Sequence, residues 1–321
     1  APQRFFAALD RAGLAHPAVA WQRPASATGW LRKCAASCGG DGVWREGATP
    51  VPARTGAANL PRGAQGCDPG ARTDADADAR TGQRSGEASE AEAEAGVYWQ
   101  QELSGRPMSA LALADGRRAH LVALNRLALQ PTADRPFLYR GARGPVDAPA
   151  LAAQARAALD ALVPAFGLRG LLSLDFIDHG GRAHWLEINP RPSATMQLHD
   201  AAWPDGLLAA HARACAGRLP SSPPPAMSGL QGIDTWYAPA AGSLDARLLA
   251  PLPGALRLHD RPAPGARLRA GEPVCSIGLR AADDEALERG LADAAALLAD
   301  RWEDRRPVVL SSPIPRPRPC A

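Results

Sequence analysis

Between Leu171 and His199 the chain carries Asp175, Glu187, Asn189 and Arg191, residue types that together can hold a divalent cation and grip a phosphate. The stretch reads as a β-hairpin. An apolar run ends in Asp175, His179-Gly180-Gly181 forms the turn, and a second strand carries Trp185-Leu186-Glu187-Ile188-Asn189 into Pro190-Arg191-Pro192. Strand alternation puts Leu186 and Ile188 on one face and Glu187 and Asn189 on the other, with Asp175 supplied by the neighbouring strand. Carboxylate and amide oxygens converging on one point suit a hard cation whose shell is completed by water and phosphate. Arg191 adds a planar guanidinium able to hold a phosphate through two hydrogen bonds. The plainer alternative is a solvated hairpin with ordinary surface charges.

The elements that must position these groups are legible in outline. Residues 4–13 predict a short amphipathic helix with Phe5, Phe6 and Leu9 on its apolar side and Gly13 at its end. A strand is expected over 29–34, followed by a loop with glycines at 39, 40 and 42, which leave backbone amides free to approach a ligand. Neither a P-loop nor a dinucleotide-binding glycine pattern is present there. Of 36 basic residues only Lys33 is a lysine, which marks it as a place where a compact ammonium is needed. Residues 46–96 are built of Ala, Gly, Arg, Thr, Asp and Glu and predict a disordered insertion. Strands are expected at 97–103, 108–114 and 118–125, the last two joined by Asp115-Gly116. An Ala-rich helix is expected over 148–163, closed by Pro164 and Gly167, and a second over 205–217. On the latter, His211 and Cys215 have metal-compatible spacing but read as a buried packing pair. A Pro-rich linker at 218–230, short strands near 232–237 and 274–279, and a helix over 283–303 capped by Asp283-Asp284 complete the chain, with a loose tail beyond.

Bulk properties narrow the class. A chain of 321 residues can bury a substantial core in two or three subdomains. The net charge of +3 is small and the basic residues are scattered, which speaks against a nucleic-acid partner. No apolar run is long enough to cross a bilayer. The six cysteines show no zinc spacing, so reduced thiols in a cytoplasmic enzyme are expected.

These pieces, in this order, resemble the ATP-grasp superfamily. The resembling segments are WLRKCAASCGGDGV (30–43), YWQQELSGRPMSAL (98–111), GLLSLDF (170–176) and WLEINPRPSATMQLHD (185–200). The resemblance implies an α+β ATP-grasp fold, with a lead-in over 1–28 and a small lid subdomain over 29–103. A larger antiparallel subdomain would follow over 104–217, then a β-rich C-terminal extension over 231–321. It implies ATP and Mg²⁺ (or Mn²⁺) as cofactors, with Asp175, Glu187 and Asn189 holding the metal and Arg191 stabilising the transferred phosphoryl group. Lys33 would reach the α- and β-phosphates beneath a flap containing Gly39, Gly40 and Gly42. Gln101, Glu102 and Leu103 would form a hinge that recognises adenine. The implied activity is an ATP-dependent carboxylate–amine (or thiol) ligase using an acyl phosphate, with small-molecule carboxylate and amine substrates and a homodimer compatible with it. The alternative is a kinase or a nucleotide-binding protein without ligase activity. Two departures stand out: the superfamily's second lysine is missing, and so is a Rossmann-like domain ahead of the lid. Among relatives, NPRPSATMQLHD resembles ATP-dependent carboligases of one-carbon cofactor biosynthesis.

Overall fold

The computed structural model describes residues 2–35, 37, 39–47, 96–221 and 229–303. The expected insertion at 46–96 and linker at 218–230 therefore fall largely outside the described residues, as do Cys38 and the tail beyond Glu303. The chain divides into two units. One comprises residues 1–16, 103–129 and 139–321; the other comprises 17–102 and 130–138.

The larger unit is built on an eight-stranded sheet with the strand order β12-β14-β10-β7-β6-β5-β8-β9. Its centre is a meander of β5 (Arg106–Asp115), β6 (Ala119–Leu129) and β7 (Tyr139–Gly144). The hairpin of β8 (Arg169–His179) and β9 (Arg182–Asn189) is added through β8 to β5. On the other side, β10 (Leu230–Tyr237), β14 (Pro273–Ala281) and β12 (Arg257–His259) continue the same sheet. The strands of the expected C-terminal extension thus share a sheet with the hairpin. A small ribbon of β11 (Gly242–Ser243) and β13 (Arg267–Leu268) lies in the same unit.

Helices cover both faces. Helix α1 (Pro2–Arg11) buries Phe5, Phe6, Ala8 and Leu9, and Gly13 takes the left-handed conformation just beyond it. Helix α2 (Pro149–Phe166) starts with Pro at its first turn and ends at Gly167, whose φ of 61° lets its amide turn back to the last carbonyls. It runs three residues past the expected end. Pro164 sits in the last turn, where a missing N–H removes only one ladder bond. Leu159 and Val163 of α2 pack on Ala112, Ala114 and Leu172, with Ile188 against them. Helix α3 (Gly206–Cys215) covers the opposite face, packing Leu207, Ala210 and Ala214 on Leu111, Leu113 and Leu171. His211 and Cys215 do pair, with Sγ 3.6 Å from Nε2, but not as a buried couple: Cys215 is exposed, and His211 Nδ1 accepts the Leu171 amide at 2.8 Å. Gly170, at φ 81°, leaves room for that ring, because a Cβ there would lie 2.5 Å from His211 Nδ1. Helix α4 (Asp284–Glu303) is capped by Asp283, whose Oδ1 accepts the Ala286 amide at 2.8 Å. Its Leu287, Leu291 and Leu298 join a core with Ile277 and Trp236.

The smaller unit is a four-stranded antiparallel sheet ordered β1-β4-β2-β3, from β1 (Val19–Ala20), β4 (Val97–Gln101), β2 (Trp30–Cys34) and β3 (Val43–Arg45). One of the four crossings between the units falls between Glu102 and Leu103, inside the expected hinge segment. Among the described residues no helix is long and apolar enough to cross a membrane.

Candidate functional site

The hairpin is clamped at its turn. Gly180 and Gly181 both have positive φ, and Asp178, itself buried, accepts the Gly181 amide at 2.9 Å and the Arg106 guanidinium at 2.6 Å. Gln154 of α2 takes the Ala183 amide and donates to the Gly181 carbonyl, each at 2.9 Å. Phe176 and Trp185 pack with ring centres 5.0 Å apart.

Register does the positioning. Asp175 pairs with Glu187 and Ser173 with Asn189, but Phe176 pairs with Trp185. Leu186 is therefore the extra residue of a β-bulge. This corrects the simple alternation expected for the strand. Without the bulge, Trp185 and Glu187 would share a face. With it, Trp185 pairs with Phe176 in the core while Glu187 stays opposite Asp175. Ser109 of β5 lies on the other side of Asp175 and donates its hydroxyl hydrogen to Oδ1 at 2.6 Å. Asn189 donates Nδ2–H to Asp175 Oδ2 and to Glu187 Oε1, both at 3.1 Å. Asp175, Glu187 and Asn189 are thus brought together, and Arg191 lies close enough for its charge to act on Asp175.

Burial and the facing Glu187 charge push the Asp175 carboxyl up to about 7, against the opposing effects of the Ser109 hydrogen bond and Arg191. Two carboxylates on one rung repel each other, and a divalent cation between them would remove that repulsion. Among the described residues no group of three His, Cys, Asp or Glu side chains could hold a metal ion, so the donor set is two carboxylates and an amide. That set suits a hard cation with an incomplete protein shell, once the Asn189 amide turns its oxygen inward. Ser109 was not among the expected site residues; its signal was the alternation of β5, which puts the hydroxyl in register with Asp175 only after pairing is known.

In the smaller unit, Lys33 is 9% exposed and donates to Gln100 Oε1 at 3.2 Å. Gly39 and Gly40 take positive φ in the β2–β3 connection. A Cβ on Gly40 would meet the Phe137 carbonyl oxygen at 1.9 Å, and one on Gly42 the Ser37 hydroxyl at 1.9 Å, so local packing alone demands glycine at both. Glu102 is paired with Arg45 through Nη2 at 2.8 Å and Nε at 3.1 Å. Gln101 is exposed on β4, and Leu103 begins the segment of the larger unit.

Comparison with known proteins places this geometry in a class: the fold is the ATP-grasp fold. Residues 71–195 match the ATP-grasp domain family model. The biotin carboxylase–β,γ-ATP complex from Campylobacter jejuni superposes with a TM-score of 0.63 at 13% identity, covering 93% of this chain and 69% of that one. N5-carboxyaminoimidazole synthase from Aspergillus clavatus, solved with ADP and 5-aminoimidazole ribonucleotide, gives 0.60 at 11% identity, covering 92% and 72%. N5-carboxyaminoimidazole ribonucleotide synthetase from Thermus thermophilus gives 0.46 at 22% identity, covering 69% of this chain and 57% of that one. The chain thus spans little more than half of that relative's length. No curated protein matches the sequence significantly. The match over 71–195 and the superpositions show an ATP-grasp fold.

Proposed function

We propose that the protein is an ATP-dependent carboxylate–amine ligase, with a thiol as the alternative acceptor. The observation that carries this reading is the Asp175–Glu187–Asn189 set on one sheet face, in a fold shared with enzymes solved with ATP or with ADP and an amine. In this reading the γ-phosphoryl group of ATP passes to a carboxylate oxygen as ADP leaves. The amine then attacks the acyl carbon, and phosphate departs with the C–O bond. The chain's contribution is positioning and charge neutralisation, which is why no Ser/His/Asp or Cys/His arrangement is required. Asp175, Glu187 and Asn189 would hold Mg²⁺ or Mn²⁺, which supplies charge neutralisation to the phosphates when bound. Ser109 orients Asp175, and Arg191 is assigned to the transferred group. Lys33, Gly39, Gly40 and Gly42 are assigned to the phosphates and Gln101, Glu102 and Leu103 to the adenine. An adenine contact from Glu102 itself requires Arg45 to share or release its carboxylate. The 189–200 pattern supports a place among carboligases of one-carbon cofactor synthesis.

The test is release of ADP and phosphate. Dependence on both a carboxylate and an amine is expected; release with a single phosphorylated acceptor identifies a kinase instead and overturns the ligase reading.

The acid pair also sets a pH dependence. Native Asp175 holds its proton more tightly than a free carboxyl of about 3.8 would, so its neutral form stabilises the metal-free fold at low pH. That contribution is lost as pH rises from about 4 through about 7. Cation affinity should run the other way, rising over the same window as the proton is displaced. Titration of Mn²⁺ at pH 5.5, 6.5 and 7.5 checks the second sign and denaturation of the metal-free chain at the same pH values the first; affinity independent of pH, or stability that does not fall over this window, would contradict them.

A further inference from the structure

We infer that Gln100 is a further phosphate-binding residue, its side-chain amide donating to the anion that Lys33 also contacts; this rests on the nucleotide-binding reading proposed above. Pairing of β2 with β4 sets Lys33 opposite Tyr98 and Leu31 opposite Gln100, so all four share one face of the smaller sheet. Lys33 Nζ lies 5.7 Å from the centre of the Tyr98 ring and donates to Gln100 Oε1. An ammonium has donors and no acceptor, so the amide atom turned towards it must be the oxygen. This fixes the orientation of the amide and directs Nε2 elsewhere. Gln100 is 2% exposed, and Nε2 is buried without a hydrogen-bond partner.

A buried N–H₂ group left without an acceptor is destabilising, and the neighbouring ammonium disfavours a cationic partner and favours an anionic one. An anionic oxygen satisfies both groups together. The Oε1 contact meanwhile draws electron density from the amide and strengthens its N–H donors. The chemical class that fits is the phosphate oxygen of a nucleoside di- or triphosphate. The competing explanation is a single buried water on Nε2, with Gln100 serving only to hold Lys33.

Two substitutions in the full chain separate these. Gln100→Glu keeps an oxygen acceptor for Lys33 and replaces the donor, whereas Gln100→Met removes donor and acceptor without adding charge. Gln100→Met is therefore also made in a Lys33→Met background, where a further loss of ATP affinity is expected from a direct contact and no further loss overturns the assignment. Isothermal titration with ATP, ADP and adenosine is expected to show a loss of about tenfold or more for ATP and ADP in both variants, with adenosine affinity unchanged. ATP affinity within about twofold of the parent in Gln100→Met overturns the assignment, whatever Gln100→Glu does, because repulsion alone would then explain any loss in the latter. Equal losses for adenosine would overturn it too, by showing a general disturbance of the sheet. A parent protein that binds no ATP fails the underlying nucleotide reading instead, and that outcome is visible before either variant is made.

Discussion

Glu187→Gln is expected to lower turnover by about 10²–10³-fold while leaving the fold intact, since a group that neutralises charge at a reacting phosphate has effects of that size. Glu187 is exposed on β9, an edge strand, and its side-chain hydrogen bonds are with Asn189 and the facing Asp175 carboxyl. Gln has nearly the same shape, so the melting temperature should stay within the range of an ordinary surface substitution, about 0.5 kcal/mol. What changes is charge. Losing the Glu187 carboxylate removes a cation ligand and also the repulsion that raises Asp175, whose carboxyl should then titrate lower. Activity, melting temperature and Mn²⁺ affinity measured together check this. Near-normal turnover would remove the metal assignment.

The largest stability effect is expected at Arg143→Met. Arg143 lies on β7, is 1% exposed, and bridges β10 and α4. It donates to Asp234 Oδ1 at 2.7 Å and to Glu288 through Nε at 2.7 Å and Nη2 at 3.1 Å. It also donates to the Ala142 and Ile233 carbonyls, each at 3.1 Å. Met preserves much of the volume, so the cost comes from leaving Asp234 buried beside a severed network. Removing one partner of a buried pair costs about 3–5 kcal/mol. Arg140 still reaches Asp234 at 2.7 Å, which places the expectation towards the lower end. Thermal denaturation should show a drop of roughly 10 °C, using about 2–4 °C per kcal/mol for a chain of this size. A drop of less than about 2 °C would mean that the network is dispensable. Burial also disfavours the charged form of Arg143, but its two acids outweigh that and hold it protonated.

How much of this was legible beforehand depends on whether the signal was local. The 171–199 hairpin was, because a Gly-Gly turn between two apolar runs and an acid on each strand lie within one short segment. The helix at 149–166 was as well, through its alanine content and the glycine at its end. The bulge at Leu186 was not. Nothing in Trp-Leu-Glu-Ile-Asn announces an extra residue, and only pairing with Phe176 and Asp175 reveals it. Strand β7 reads Tyr-Arg-Gly-Ala-Arg-Gly, which lacks β-branched residues and carries two glycines. It forms because its neighbours β6 and β10 supply a ladder and because Gly141 lets the Ile233 carbonyl approach closely. The union of the C-terminal strands with the site sheet escaped for the same reason: strand order is a long-range fact. Of the candidate site, Asp175, Glu187 and Asn189 were singled out by type and spacing, whereas the places of Ser109 beside Asp175 and of Gln100 beside Lys33 needed register.

The most direct test of a Mg-ATP site is the melting temperature of the folded chain with and without Mg-ATP. At a hundredfold excess over Kd, binding to the native state adds about 2.7 kcal/mol, which corresponds to a rise of roughly 5–10 °C. A rise of that order, much reduced in Glu187→Gln, is the predicted result; an unchanged melting temperature in the folded parent would contradict it.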